Sequence, residues 1–388
     1  MLASLPGMPF EQELNDSSMV KTFENDKRVV LTLDAGGTNF VFSAIQGNKE
    51  ILTPIHKKAH PDDLEKCLSM VVDGFKEVAG KLTMKASAIS FAFPGPADYE
   101  KGIIGILPNF PAFRGGVPLG PMLEEEFKIP VFIDNDGSLF AYGEALAGYL
   151  PMLNKRLRDA GSIKQYKNLI GLTLGTGFGG GVVMQGHLMT GDNSCGAEVH
   201  NTLNAYHTEW NAEESISTRA IQHVYTDKAG IPFTTELMPK DIYDIAKGLI
   251  KGVPEAATES FRQFGTGLGN AIANIVSLVD GIVVLGGGLT AAWDLFSKAM
   301  FKELNRPYQN FKGISSPRLS FKIYNLEDDS VFDEFAAGKI TEIKVPASGR
   351  KILYDDMPRT GVGVSKLGAS KAIWLGAYVY ALQKMNKR

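Results

Sequence analysis

Two carboxylates at the ends of β-like runs, together with two glycine loops, are the residues of this chain whose types and spacing suit the handling of a polyphosphate. Asp34 closes the run Leu31-Thr-Leu33 and is followed by Gly36, Gly37 and Thr38. A carboxylate there can hold Mg2+, directly or through water, while a glycine turn and a threonine hydroxyl meet phosphate oxygens. The same Asp-Ala-Gly-Gly also suits a bare hairpin turn. A second run, Leu172-Thr-Leu174, breaks into Gly175-Thr-Gly-Phe-Gly-Gly-Gly181, five glycines in seven positions. Each glycine inside a regular element costs about 0.5–1 kcal/mol relative to alanine, so the cluster implies close approach to the backbone. The residues that follow, Val182–Met184, are β-like, whereas a dinucleotide fingerprint needs a helix there.

Ile133-Asp-Asn-Asp-Gly137 places three hydrogen-bonding side chains in a row. Asp136 is suited to take a proton from a hydroxyl as its oxygen attacks a γ-phosphate, and Asn135 to fix neighbouring hydroxyls. The same residues also suit an Asx-turn capping a helix that begins near Leu139. The stiff loops Phe93-Pro-Gly-Pro96 and Pro108-Asn-Phe-Pro111 flank Asn109; such loops turn the chain, and can also hold an amide rigidly against a sugar hydroxyl. Glu198, Glu213 and Glu214 add carboxylates near a histidine, though each alone reads as a solvated surface group. His200, His207 and Glu209 follow no zinc spacing.

Positioning these residues takes alternating strands and helices. Strand-like runs occur at Arg28–Asp34, Ala88–Phe93, Val131–Ile133, Leu169–Leu174, Ile282–Leu285 and Gly361–Val364, with helical segments between them, the alternation of an α/β protein. From Glu255 to Leu278 the apolar residues Phe261, Phe264, Leu268, Ile272 and Ile275 recur at steps of three and four, one face of a helix running into the strand that ends at Gly286–Gly288. A last helix is expected over Ala369–Lys384, with Ala372, Gly376 and Ala377 allowing close packing. Residues 1–27 read as an arm, and about 305–359 as an insertion with short β pieces at Leu319–Tyr324 and Ile340–Val345.

A length of 388 residues with 44% hydrophobic content allows two domains with real cores. The net charge of −3, with Lys and Arg scattered, gives no basic surface for nucleic acid. No window reaches the ~20 apolar residues of a membrane helix, and no targeting signal is evident. Two cysteines, Cys67 and Cys195, are too few for a disulfide framework and fit a reduced, cytoplasmic setting.

Asp34-Ala-Gly-Gly-Thr38, Pro94-Gly-Pro96, Asn109, Asn135-Asp136, Gly175-Thr-Gly177 with Gly179–Gly181, Glu198 and Gly286–Gly288 follow one another as in ROK-family sugar kinases, of the actin-like, hexokinase-type ATPase superfamily. From about residue 28 to 382, leaving out the insertion, the chain resembles that family. The resemblance implies two RNase H-like α/β domains flanking a nucleotide and sugar cleft, 28–137 plus 370–388 and 138–369. It makes Asp136 the general base and Asn109, Asn135, Glu198 and Glu213 sugar contacts, with Glu214 an alternative to Glu213. Gly36, Gly37, Thr38, Gly175, Thr176 and Gly177 would meet phosphates, Asp34 the Mg2+, and Gly287 and Gly288 the adenosine side.

The reaction implied is transfer of the ATP γ-phosphoryl group to a hexose hydroxyl, at C6 of glucose first, with fructose, mannose and N-acetylhexosamines behind. A homodimer is expected. Many members follow the glutamate with a histidine and a Cys-rich zinc loop. Here Asn201 stands at that histidine and the cysteines are missing, so no zinc is expected, and Leu203–Ala212 with Trp210 is expected to replace the loop by packing. Repressors of the family carry an N-terminal DNA-binding module, for which the 27-residue arm leaves no room. A sugar-binding protein without catalysis is the remaining alternative.

Overall fold

Buried aliphatic and aromatic runs build two sheets on one plan. The computed structural model describes residues 23–35, 39–107 and 110–387. The first sheet contains β1 (Val30–Ala35), β2 (Asn39–Gln46), β3 (Lys49–Glu50), β4 (Ile55–Lys58), β5 (Ala88–Ala92) and β6 (Val131–Asp134). Its order is β3-β2-β1-β5-β6, with β4 also paired to β2; β1 to β4 are antiparallel neighbours, and β5 and β6 add in parallel. All five residues of β5 are buried, as a parallel strand covered on both faces requires.

The second sheet repeats this plan with β7 (Leu169–Leu174), β8 (Phe178–Met184), β9 (His187–Leu188), β10 (Ile282–Gly286), β11 (Lys322–Asn325) and β12 (Arg359–Val364). Its order is β9-β8-β7-β10-β12-β11: an antiparallel meander followed by parallel strands. The segment expected as an insertion therefore divides. Residues 322–325 form a strand of the second sheet, and Tyr324, Leu326, Phe332 and Phe335 are buried in its core. Only the hairpins at 308–316 and 340–355 project from it. Short β runs with polar flanks do not reveal whether their partner is a hairpin neighbour or a distant sheet edge.

The helices are α1 (Leu64–Lys81), α2 (Leu119–Phe127), α3 (Asp136–Leu146), α4 (Tyr149–Asp159), α5 (Thr218–Ala229), α6 (Pro239–Ala246), α7 (Pro254–Val279), α8 (Trp293–Leu304), α9 (Phe332–Ala337) and α10 (Ala369–Lys387). α3 packs on β7 and β8 of the second sheet, and on α10, which lies on β1, β5 and β6 of the first. This crossing is tight. A Cβ at Gly376 would stand 1.8 Å from the Leu139 carbonyl oxygen, and one at Gly143 2.0 Å from that of Ala372. Ala372, Gly376 and Ala377 thus serve close packing, and one apolar core joins Val30, Ala88 and Phe132 to Leu169, Val183 and Val284.

Candidate active site

A cleft of about 1410 Å³ opens where loops at the strand ends of both sheets face each other. It is larger than the roughly 300–1,000 Å³ of a single small-molecule pocket and has room for two substrates side by side. Asp136 sits at its floor as the first residue of α3. That helix starts three residues earlier than the Asx-turn reading placed it, because Asn135 caps it: Asn135 Oδ1 accepts from Gly137 N at 2.8 Å. Asp136 Oδ1 shares the same N–H at 2.8 Å. The carboxylate opens to the cleft but is walled by protein elsewhere. Loss of surrounding water raises its pKa, against the pull of those backbone N–H groups.

Asp34, half-buried near the end of β1, is raised as well, first by burial and then by the negative charge of Asp136. It is not one of the residues that line the cleft, so its link to the floor is through this charge. Asp134, two residues before Asp136, is buried at the edge of the cleft beside Tyr380 and Lys384 of α10. It is 3% exposed, Oδ1 accepts from Asn135 N at 2.8 Å, and Oδ2 has no hydrogen-bond partner. Burial raises it to about 6, opposed by Asn135 N–H and by nearby Tyr380, Lys384 and Ser138.

On one wall stand Glu198, His200 and Asn201. Glu198 Oε2 lies 3.0 Å from His200 Nδ1, so the histidine one position before Asn201 reaches the cleft beside the glutamate. Tyr99 is a cleft residue that sequence reasoning missed. Its hydroxyl donates to the Phe93 carbonyl at 2.9 Å, stands 2.9 Å from where a Gly95 Cβ would be, and neighbours Asn135, which props the Pro94-Gly-Pro96 loop against the floor. Nothing in Asp98-Tyr-Glu marks it locally. Asn109 lies outside the described residues. Its flanks Leu107 and Phe110 are buried, pair with each other, and Phe110 packs on Phe93 at 5.2 Å.

Glu213 and Glu214 diverge. Glu213 lines the cleft and its Oε2 accepts from Phe178 N at 2.9 Å, bracing the Gly175–Gly177 turn. Glu214 pairs with Arg219 and faces a separate cavity with Trp210 and His223.

The glycine cluster has two causes. Gly179, Gly180 and Gly181 lie in β8, where a Cβ would strike Thr173 of the neighbouring strand, Val199 and the α3 backbone at Gly137 respectively, so close packing within the protein accounts for them. Gly175 and Gly288, both on the cleft, would place a Cβ in open space, and Thr176 between Gly175 and Gly177 is exposed. Gly287 has φ +93°, which disfavours side chains, and a Cβ there would be 2.2 Å from the Leu174 carbonyl oxygen. Close approach of a ligand thus suits Gly175 and Gly288, not the whole run. Gly36, Gly37 and Thr38 lie outside the described residues.

Mg2+ and zinc fare differently against these residues. Burial and then the charge of Asp136 hold the Asp34 carboxyl above its usual range, and a divalent cation beside it would offset both. In that respect the Asp34 carboxyl is compatible with Mg2+. A zinc ion does not fit the loop after Glu198. His200 turns to the cleft, while His207 stacks on Trp210 at 4.0 Å and lines the other cavity. Trp210, 40% exposed, packs against His207 and, edge-on, against His223 at 6.1 Å.

The sequence profile of the ROK family matches residues 30–322. The chain belongs to the ROK family. A glucokinase of Parabacteroides distasonis is 51% identical, with a TM-score of 0.85 over 93% of this chain and 99% of that one. The fold is thus the two-domain actin-like ATPase fold of ROK sugar kinases. Among curated relatives, the N-acetyl-D-glucosamine kinase of Vibrio parahaemolyticus is 29% identical over 278 residues, 66% of this chain and 83% of that protein. A Thermotoga maritima glucokinase is 32% identical over 182 residues, 46% of this chain and 51% of that protein, so the match spans about half its length. Among the described residues, no helix is long and apolar enough to cross a membrane.

Proposed function

We propose that this ROK-family chain is a sugar kinase that transfers the γ-phosphoryl group of ATP to a hexose hydroxyl, C6 of glucose in first place, with Asp136 as general base. The observation that carries the reading is Asp136 itself, at the cleft floor between a polar wall and an open glycine edge. A hexose set against Asn135, Glu198, His200 and Asn201 brings one hydroxyl to Asp136. As that oxygen attacks the γ-phosphorus its proton passes to the carboxylate, the O–P bond forms, and the bond to the β-phosphate oxygen breaks, releasing ADP. Burial holds the Asp136 carboxyl above its usual range, which makes its carboxylate a better proton acceptor. Asp34 would hold Mg2+, which neutralises charge on the phosphates.

Tyr99, Asn135 and Glu198 orient the sugar, Asn109 would join them, and Gly175, Thr176, Gly177, Gly287 and Gly288 leave room for the nucleotide. With this reading goes the division of the chain into 28–137 plus 370–388 and 138–369. Glucose leads because the 51% identical relative is a glucokinase; N-acetylglucosamine follows from the curated relatives.

ADP release from Mg-ATP against glucose, N-acetylglucosamine, fructose, mannose and N-acetylmannosamine tests the activity, and phosphorus NMR of the product gives the position. Asp136→Ala should lower kcat by about 10²–10⁴ while ATP binding persists. Near-normal turnover in that variant would remove Asp136 from the reaction, and sugar binding without ADP release in the wild type would favour a sensor.

A further inference from the structure

Between the two groups of cleft residues, Glu198, His200 and Asn201 on one side and Glu213 on the other, the chain makes a loop whose ends are held by polar bonds, with Trp210 its main ring contact. Leu203 is 62% exposed and Tyr206 40%. Among the described residues 201–210, Asn204 is the only buried one. Its amide is fully engaged. Oδ1 accepts from Tyr206 N at 2.8 Å and His207 N at 3.1 Å. Nδ2 donates to the Asn211 carbonyl at 2.8 Å, and the Ser215 hydroxyl sits against both ends of the amide, at 2.7 and 3.0 Å. Two backbone donors on one end and a carbonyl on the other fix which way the amide faces.

We propose that Asn204 is a positioning residue for the sugar, holding the two short turns that carry Glu198, His200 and Glu213 at a fixed separation across the cleft wall. The bonds around it lead to both turns. Asn204 N donates to Trp210 O at 3.2 Å and Ala212 N to Thr202 O at 2.8 Å, and Thr202 Oγ1 donates to Val199 O at 2.7 Å in the turn Val199–Asn201. On the far side Asn211 caps the turn Ala212–Ser215, which holds Glu213 against Phe178 N. Without the amide, two backbone N–H groups and a carbonyl lose their partners, and the Tyr206 hydroxyl on Gln263 O at 3.1 Å and the contact of His207 with Trp210 at 4.0 Å hold only the middle of the loop, so its two ends loosen. The nucleotide side meets this network only where Glu213 braces the Gly175–Gly177 turn, and otherwise rests on β7, β10 and the glycines after them, so the change should fall mainly on the sugar.

This rests on the sugar-kinase reading, so the test reads sugar binding apart from catalysis. Isothermal calorimetry of glucose, or of whichever panel sugar the wild type turns over, is compared for the full-length wild type, Asn204→Ala and Asn204→Asp. Steady-state KM values for sugar and ATP are taken alongside, with amide hydrogen exchange over residues 199–215. In Asn204→Ala the sugar Kd and KM should rise about tenfold or more, the ATP KM should stay within about twofold, and Tyr206 and His207 amides should lose protection. Asn204→Asp, which keeps the acceptor and loses the donor, should fall between. Unchanged sugar affinity with faster exchange would overturn the proposal, leaving Asn204 a loop fastener alone. Equal losses for sugar and ATP, or a collapse of thermal stability in both variants, would also overturn it. A wild type that binds sugar but releases no ADP sinks the kinase reading and leaves the affinity comparison to decide this one; a wild type that binds no sugar removes both.

Discussion

At the scale of single residues, the three acids at the strand ends do different work because their surroundings differ. Asp136 is open to the cleft, Asp34 feels its charge, and Asp134 is buried beside Tyr380 of α10 with one oxygen unpartnered among the described residues. In Asp134 the protonated form is favoured by folding, so the folded chain binds that proton more tightly than the unfolded one. Its contribution to stability is full below pH 3.8 and is lost as the pH rises through about 6. That displacement amounts to at most about 3 kcal/mol. Asn mimics the protonated acid and keeps an acceptor for Asn135 N–H. Asp134→Asn should therefore gain stability relative to the wild type between pH 4 and 7.5, measured as the difference in denaturant unfolding free energy at each pH. A difference that stays flat across that range would mean the carboxyl titrates normally.

At the scale of elements, the crossing of α3 and α10 sets where Asp136 stands, because α3 begins at that residue. Alanine at 376 would drive its Cβ into the Leu139 carbonyl, backbone that cannot swing aside. Gly376→Ala should cost at least about 3 kcal/mol or prevent soluble folding, well beyond the usual point mutation. Gly80→Ala, on the exposed last turn of α1 with nothing within 4 Å, should instead stabilise by about 0.5–1 kcal/mol. Equal effects of the two in thermal melts would contradict the close approach. The sequence disclosed what repeats locally: the apolar face of α7, the buried parallel strands, and the small residues of α10. Asn135-Asp136 was readable as chemistry and as a cap, and it is a cap that also leaves Asp136 facing the cleft. Long-range contacts were not readable. Gly179, Gly180 and Gly181 make room for Thr173, Val199 and α3, β11 joins β12 across the fold, and Tyr99 and Asn204 act through partners no local pattern announces.

At the scale of the molecule, two α/β halves would ordinarily be expected to unfold in separate steps. Here the chain passes between the sheets twice, from β6 through α3 and from β12 through Ser365–Gly368 into α10, and both passages are fastened together. Glu144, fully buried near the end of α3, accepts from Tyr149 N at 2.7 Å and from the Ser365 hydroxyl, while α3 and α10 pack into the core shared by both sheets. Separating the halves would expose that core and strand the Glu144 carboxylate without partners, so neither half keeps its fold when the other is lost. The full chain should therefore unfold in one transition. Far-UV ellipticity reports both sheets with their helices, and Trp374 emission, read in a Trp210→Phe, Trp293→Phe background, reports α10 on the first sheet. The two midpoints in urea should coincide. If Trp374 loses its native signal at a distinctly lower urea concentration than the ellipticity, the first half unfolds alone and the shared core does not couple the domains.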